Sequence, residues 1–223
     1  MKPNPTSVPI KVEEKSEPIA ETTPCYYENE TSSLGIGLVI SIDDSKPLEI
    51  YDDVNLIRLF TKFDIYSGKP LEICAKYNKP DYGILHFVCL DSSDNYYKIL
   101  VNHSDVKYIS RSESGYNFIS WTEYITTAFS ARMKRENRTN YIIEIPNDSS
   151  DIIEIPNDRF QSFCVVDVLK DWLEVKYNCF YGKPDNPYEL TPCEEFIDEC
   201  ELPSGWIRWR RDNKVLVELP HLS

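Results

Sequence analysis

This chain holds little glycine, histidine or methionine: 7 Gly, 3 His and 2 Met occur among its 223 residues. With so few glycines it has no Gly-rich loop to bring backbone amides against a phosphate. The histidines, His86, His103 and His221, are widely separated and carry no metal-ligand spacing, so no metal or cofactor is expected. No run approaches the roughly 18 apolar residues of a membrane span, and the first residues lack the apolar core of a secretion signal. Basic side chains are outnumbered, with 24 Lys and Arg against 37 Asp and Glu, a formal net charge of −13. A field of that sign repels phosphate backbones and anionic lipid, so nucleic acid is not an expected partner and basic proteins are the easier ones.

What is present is apolar and aromatic. At 41% hydrophobic and 13% aromatic residues, the chain can bury a core, in one large domain or two small ones. Residues 1–24 stand apart, with Pro3, Pro5, Pro9, Pro18 and Pro24, Glu-Lys runs and no aromatic residue. Such a segment buries too little to offset chain entropy, so residues 1–33 are expected as a disordered tail or tether. The chain reads either as a mature exported protein whose leader or lipid tether Met1 replaces, facing the cell envelope, or as a cytoplasmic one.

Seven cysteines leave at least one thiol unpaired. Cys89 and Cys164 sit in apolar strand patterns and read as small hydrophobes. Cys179, Cys193 and Cys200 fall in one polar segment, where a disulfide between two of them competes with free thiols.

Short apolar runs recur between turn residues: Leu34 to Ile40, Leu48 to Tyr51, Leu56 to Phe60, Ile84 to Val88, Tyr96 to Val101 and Lys107 to Ser110. That rhythm predicts a mainly β protein. One segment departs from it. Ser120-Trp121-Thr122-Glu123 is a capping box, and Trp121, Tyr124, Ile125, Ala128, Phe129 and Met133 follow at helical spacing, predicting one amphipathic helix over 121–136 within a linker of 120–138. Beyond it, Ile142 to Asp148 recurs as Ile152 to Asp158, each copy ending in a Pro-Asn-Asp turn signal. The final hairpin is predicted from Trp206 to Arg210 and Lys214 to Leu219, around Arg211-Asp212-Asn213.

Phe163 to Lys176, followed by Gly205-Trp206-Ile207-Arg208-Trp209, has an earlier counterpart in Phe87 to Asp91, Asn95 to Leu100 and Val106 to Ile109. Asp171-Trp172-Leu173-Glu174-Val175 with Gly205-Trp206-Ile207 resembles the bacterial SH3-like barrel family, in particular paired modules of Bacteroidetes-type bacteria that are often exported or lipid-anchored. In the earlier copy Tyr96 stands where Trp172 does, and Lys107-Tyr108-Ile109 replaces Gly205-Trp206-Ile207. The resemblance implies two small SH3-like β-barrels, over 34–119 and 139–223, joined by the helix. It also implies recognition of a peptide or a cell-wall fragment such as peptidoglycan.

The second copy adds an acidic excursion over 182–203. Its carboxylates and neighbouring aromatics make Tyr181, Tyr188, Glu194, Glu195, Asp198, Glu199, Trp206 and Trp209 the candidate partner-binding residues. The bland alternative is a solvated loop neutralised by Arg208, Arg210, Arg211 and Lys214. No catalytic constellation is legible: Cys89 lies near His86, but both belong to one apolar run. Two functions follow, a non-catalytic binding protein at the envelope and an immunity protein that neutralises a basic toxin.

Overall fold

The computed structural model describes residues 31–43, 45–67, 73–112, 115–134, 141–154, 161–188, 191, 193–201 and 204–220. Most of the predicted tail, the second Pro-Asn-Asp signal at 156–158 and the last residues predicted for the helix lie outside them. Thr31 to Ser33, predicted as tail, are instead tied down. Thr31 is buried, the Ser32 amide donates to the His103 carbonyl at 2.8 Å, and Asn213 Nδ2 donates to the Ser32 carbonyl at 2.8 Å.

The N-terminal half is built from β1 (Gly37–Ser41), β2 (Leu48–Tyr51), β3 (Leu59–Phe63), β4 (Tyr77–Lys79), β5 (Ile84–Ser92), β6 (Tyr96–Val101), β7 (Asp105–Ser110) and β8 (Tyr116–Ser120). They form one antiparallel sheet in the order β3-β2-β7-β6-β5-β1-β8, with β4 beside β5. This sheet is open, and among the described residues no sheet closes into a barrel, which corrects the expected pair of barrels. Leu56 and Ile57, predicted as strand, lie in the loop before β3. There the Asp53 carboxylate accepts from the amides of Asn55 and Arg58 and holds a turn with Leu56 at φ +56°.

Alternation gives β5 a core on each side. Leu85, Phe87 and Cys89 enter one apolar cluster with Leu48, Ile50 and Ile99, while Ile84 and Val88 enter another. The second cluster continues into α1 (Trp121–Thr126) and the C-terminal strands β9 (Arg132–Met133), β10 (Phe163–Leu169), β11 (Trp172–Tyr177), β12 (Ser204–Arg208), β13 (Arg210–Arg211), β14 (Lys214–Val215) and β15 (Val217–Glu218). β10, β11 and β12 form a three-stranded meander, β13 pairs β14, and β15 pairs β9.

The capping box starts α1 as read from the sequence, with the Ser120 hydroxyl accepting from the Glu123 amide and the Glu123 carboxylate accepting from the Ser120 amide. The helix then stops at Thr126, ten residues earlier than predicted. Arg132 and Met133 are drawn into pairing with Glu218 and Val217, so tertiary pairing overrides helical spacing. The last hairpin turns at Asp212-Asn213, with Asp212 at φ +53°.

Candidate partner-binding site

The acidic excursion leaves β11 through Asn178, a buried side chain whose Oδ1 accepts from the amides of Phe180 and Tyr181 at 3.1 Å each. Two disulfides then staple it, Cys164–Cys193 to strand β10 and Cys179–Cys200 across its own two ends. Cys164 is therefore a staple and not the small hydrophobe its strand pattern suggested: it meets Cys193 from 29 residues away, a pairing no local pattern encodes. Cys74 is also disulfide-bonded.

Around the staples Phe180, Tyr188, Phe196 and Ile197 make a small apolar cluster of their own. Tyr188 stacks on Phe196 with centroids 4.8 Å apart, and Phe180 meets Tyr188 edge-on at 4.9 Å. Two short 3₁₀ turns, Cys193–Glu195 and Ile197–Glu199, follow. They turn Phe196 and Ile197 inward, and Glu195, Asp198 and Glu199 stand exposed. The Glu194 side chain lies outside the described residues, although its backbone belongs to the first turn.

Each exposed acid is handled differently. Asp198 takes a bond from Lys176 Nζ at 2.6 Å, and that ammonium holds its carboxyl below the ordinary 3.8. Glu199 accepts from the Tyr188 hydroxyl at 2.7 Å, which raises the phenol's pKa above its usual range. Glu195 has no ion-pair partner among the described residues. Two of the arginines expected to neutralise the loop are engaged elsewhere: Arg208 binds Asp148 at 2.8 Å and Arg210 binds Asp171 at 2.6 Å.

The remaining candidates divide. Tyr181 is half-buried with the Arg132 guanidinium 4.6 Å from its ring centroid. Trp209 is a core residue, its indole donating to the Lys170 carbonyl at 2.8 Å and its ring 5.5 Å from that of Trp121. It cannot contact a partner. Trp206 faces the other way and is half-buried on the outside of the meander. The structure thus brings Tyr188, Glu195, Asp198 and Glu199 together, sets Trp206 on a neighbouring face, and removes Trp209.

Sequence reading missed three outward residues on that face, Asp167, Trp172 and Glu174. Alternation along β11 is the local signal that would have put Glu174 outward, with Trp172 two residues before it on the same face. Asp167 depends on a bulge at Val166, between the pairs Val165↔Val175 and Asp167↔Glu174, which has no sequence signature.

His86 and Cys89 are three apart on β5 and face opposite clusters. His86 Nδ1 lies 3.3 Å from the Tyr124 hydroxyl, while burial pushes the Cys89 thiol up to about 12, far from a nucleophile's range. No family model, no curated protein and no solved structure matches this chain.

Proposed function

We propose that this chain is a non-catalytic binding protein that works in an oxidising, extracytoplasmic setting at the bacterial envelope and grips a basic protein or peptide. The observation that carries the reading is the twice-stapled excursion, whose exposed Glu195, Asp198 and Glu199 are held on a covalent frame. A rigid frame lowers the ordering entropy that a loop must lose on binding. Disulfides also belong to oxidising compartments in most organisms. The β10-β11-β12 meander followed by the β13–β14 hairpin supports an SH3-like strand order, without barrel closure among the described residues, within residues 139–223.

The inhibitor form of this reading, an antidote to a basic toxin, is favoured over a cell-wall ligand by the sign of the exposed charge. Wall peptides carry carboxylates of their own and meet repulsion here. Titration calorimetry with poly-lysine at low salt tests the epitope. The triple variant E195Q/D198N/E199Q is expected to bind at least tenfold more weakly than the parent chain, and unchanged affinity refutes it. Retention on purified peptidoglycan above a control β-protein would return the assignment to the wall.

A further inference from the structure

The strand registers carry one row of side chains across the outside of the C-terminal sheet. Asp167 lies opposite Glu174, Glu174 opposite Trp206, Trp206 opposite Ile143, and Ile143 opposite Ile152. The adjacent inward row contains Val175 and Gly205, with Ile142 and Ile153 packed onto the glycine, so the first row is held to the outer face. One end of it is apolar, with Ile143 buried and Ile152 56% exposed, and the other end is anionic.

Two features of this row are unfinished within the chain. Asp167 and Glu174 are like charges placed directly opposite, an arrangement that destabilises a sheet. Neither has an ion-pair partner among the described residues. Trp206 is the second. The core indoles of Trp121 and Trp209 donate their N–H to backbone carbonyls, and Trp172 carries the Arg208 guanidinium 4.5 Å from its ring. Among the described residues Trp206 has neither an acceptor for its indole N–H nor a cation over its face. An indole with Glu174 directly opposite it and Asp167 one strand further on attracts an ammonium or guanidinium through its ring quadrupole and through charge.

We propose that this outer face docks a basic segment of a partner protein, with a lysine or arginine seated over Trp206 and beside the Glu174–Asp167 pair, and an apolar neighbour covering Ile152. A second copy of the chain does not fit, since it brings the same carboxylates and a net charge of −13 to the contact. The proposal rests on the reading of a basic protein as partner. It moves the centre of contact from the stapled loop to the sheet, with Lys176, bound to Asp198, joining the two.

The test uses the isotope-labelled full chain and a ten-residue peptide alternating Leu and Lys, with Glu replacing Lys in the control. The Trp206 indole N–H and the amides of Asp167 and Glu174 are expected to shift with the Lys peptide alone. D167N/E174Q is expected to bind it at least tenfold more weakly without a lower thermal midpoint, because the substitution removes a repulsion; W206A is expected to lose at least fivefold. Unchanged affinity in D167N/E174Q, or shifts elsewhere, overturns the seat. If E195Q/D198N/E199Q weakens binding in that case, the stapled-loop reading survives alone. If neither variant changes binding, both fall. A concentration-dependent dimer whose contact maps to these resonances also overturns the proposal, by assigning the face to a second copy.

Discussion

Gly205 shows how one position can couple two distant segments. It stands opposite Val175 in the meander, and a methyl group there would lie 2.4 Å from Ile142 Cγ2, 2.7 Å from Ile153 Cδ1 and 2.8 Å from the Ile143 carbonyl oxygen. The glycine is therefore required by close approach of the Ile-Ile-Glu-Ile repeat, whose two copies pair with each other at Ile143 and Ile152. Gly205→Ala is expected to destabilise the fold by about 1–3 kcal/mol, the usual range for overpacking. Urea unfolding followed by tryptophan fluorescence measures this, and an unchanged midpoint would show that the repeat can move aside.

At the scale of the element, the excursion is the informative piece. It has few apolar residues and no strand among its described residues, so its order derives from Asn178, the two staples and the Tyr188–Phe196 stack. In the chain-entropy account, closing a loop of this length contributes about 3 kcal/mol. C179S/C200S is accordingly expected to lose roughly 2–4 kcal/mol of stability in thermal or denaturant unfolding and to weaken binding of a cationic peptide. Stability at the parental level would mean that the apolar cluster alone orders the loop. The helix teaches the complementary lesson. Its start was legible because a capping box acts within four residues. Its end was not, since nothing in residues 127–133 announces that Met133 will pair with Val217.

For the whole molecule, the decisive feature is that β1, β5 and β6 send side chains to both faces. Leu38, Val88 and Leu100 join Trp121, Phe163, Ile207 and Trp209, while Val39, Phe87 and Ile99 join Leu48 and Ile109. The N-terminal sheet thus shares a core with the C-terminal strands. Calorimetry on the oxidised chain is expected to show a single transition with calorimetric and van't Hoff enthalpies in agreement. Two resolved transitions would show that the halves unfold separately.

Read from the residues alone, the chain was already mainly β, acidic, capped at Ser120 and turned near Asp212, and its acidic excursion was visible as a candidate partner site. These are properties of composition or of a few neighbouring residues, where alternation, capping and turn chemistry act. Tertiary structure decided that Cys164 pairs with Cys193, that Trp209 is core while Trp206 faces outward, and that a bulge sets Asp167 beside Glu174. Each of these depends on which distant segment arrives alongside. That choice is made by the fit of whole faces in the folded core, which local sequence does not contain.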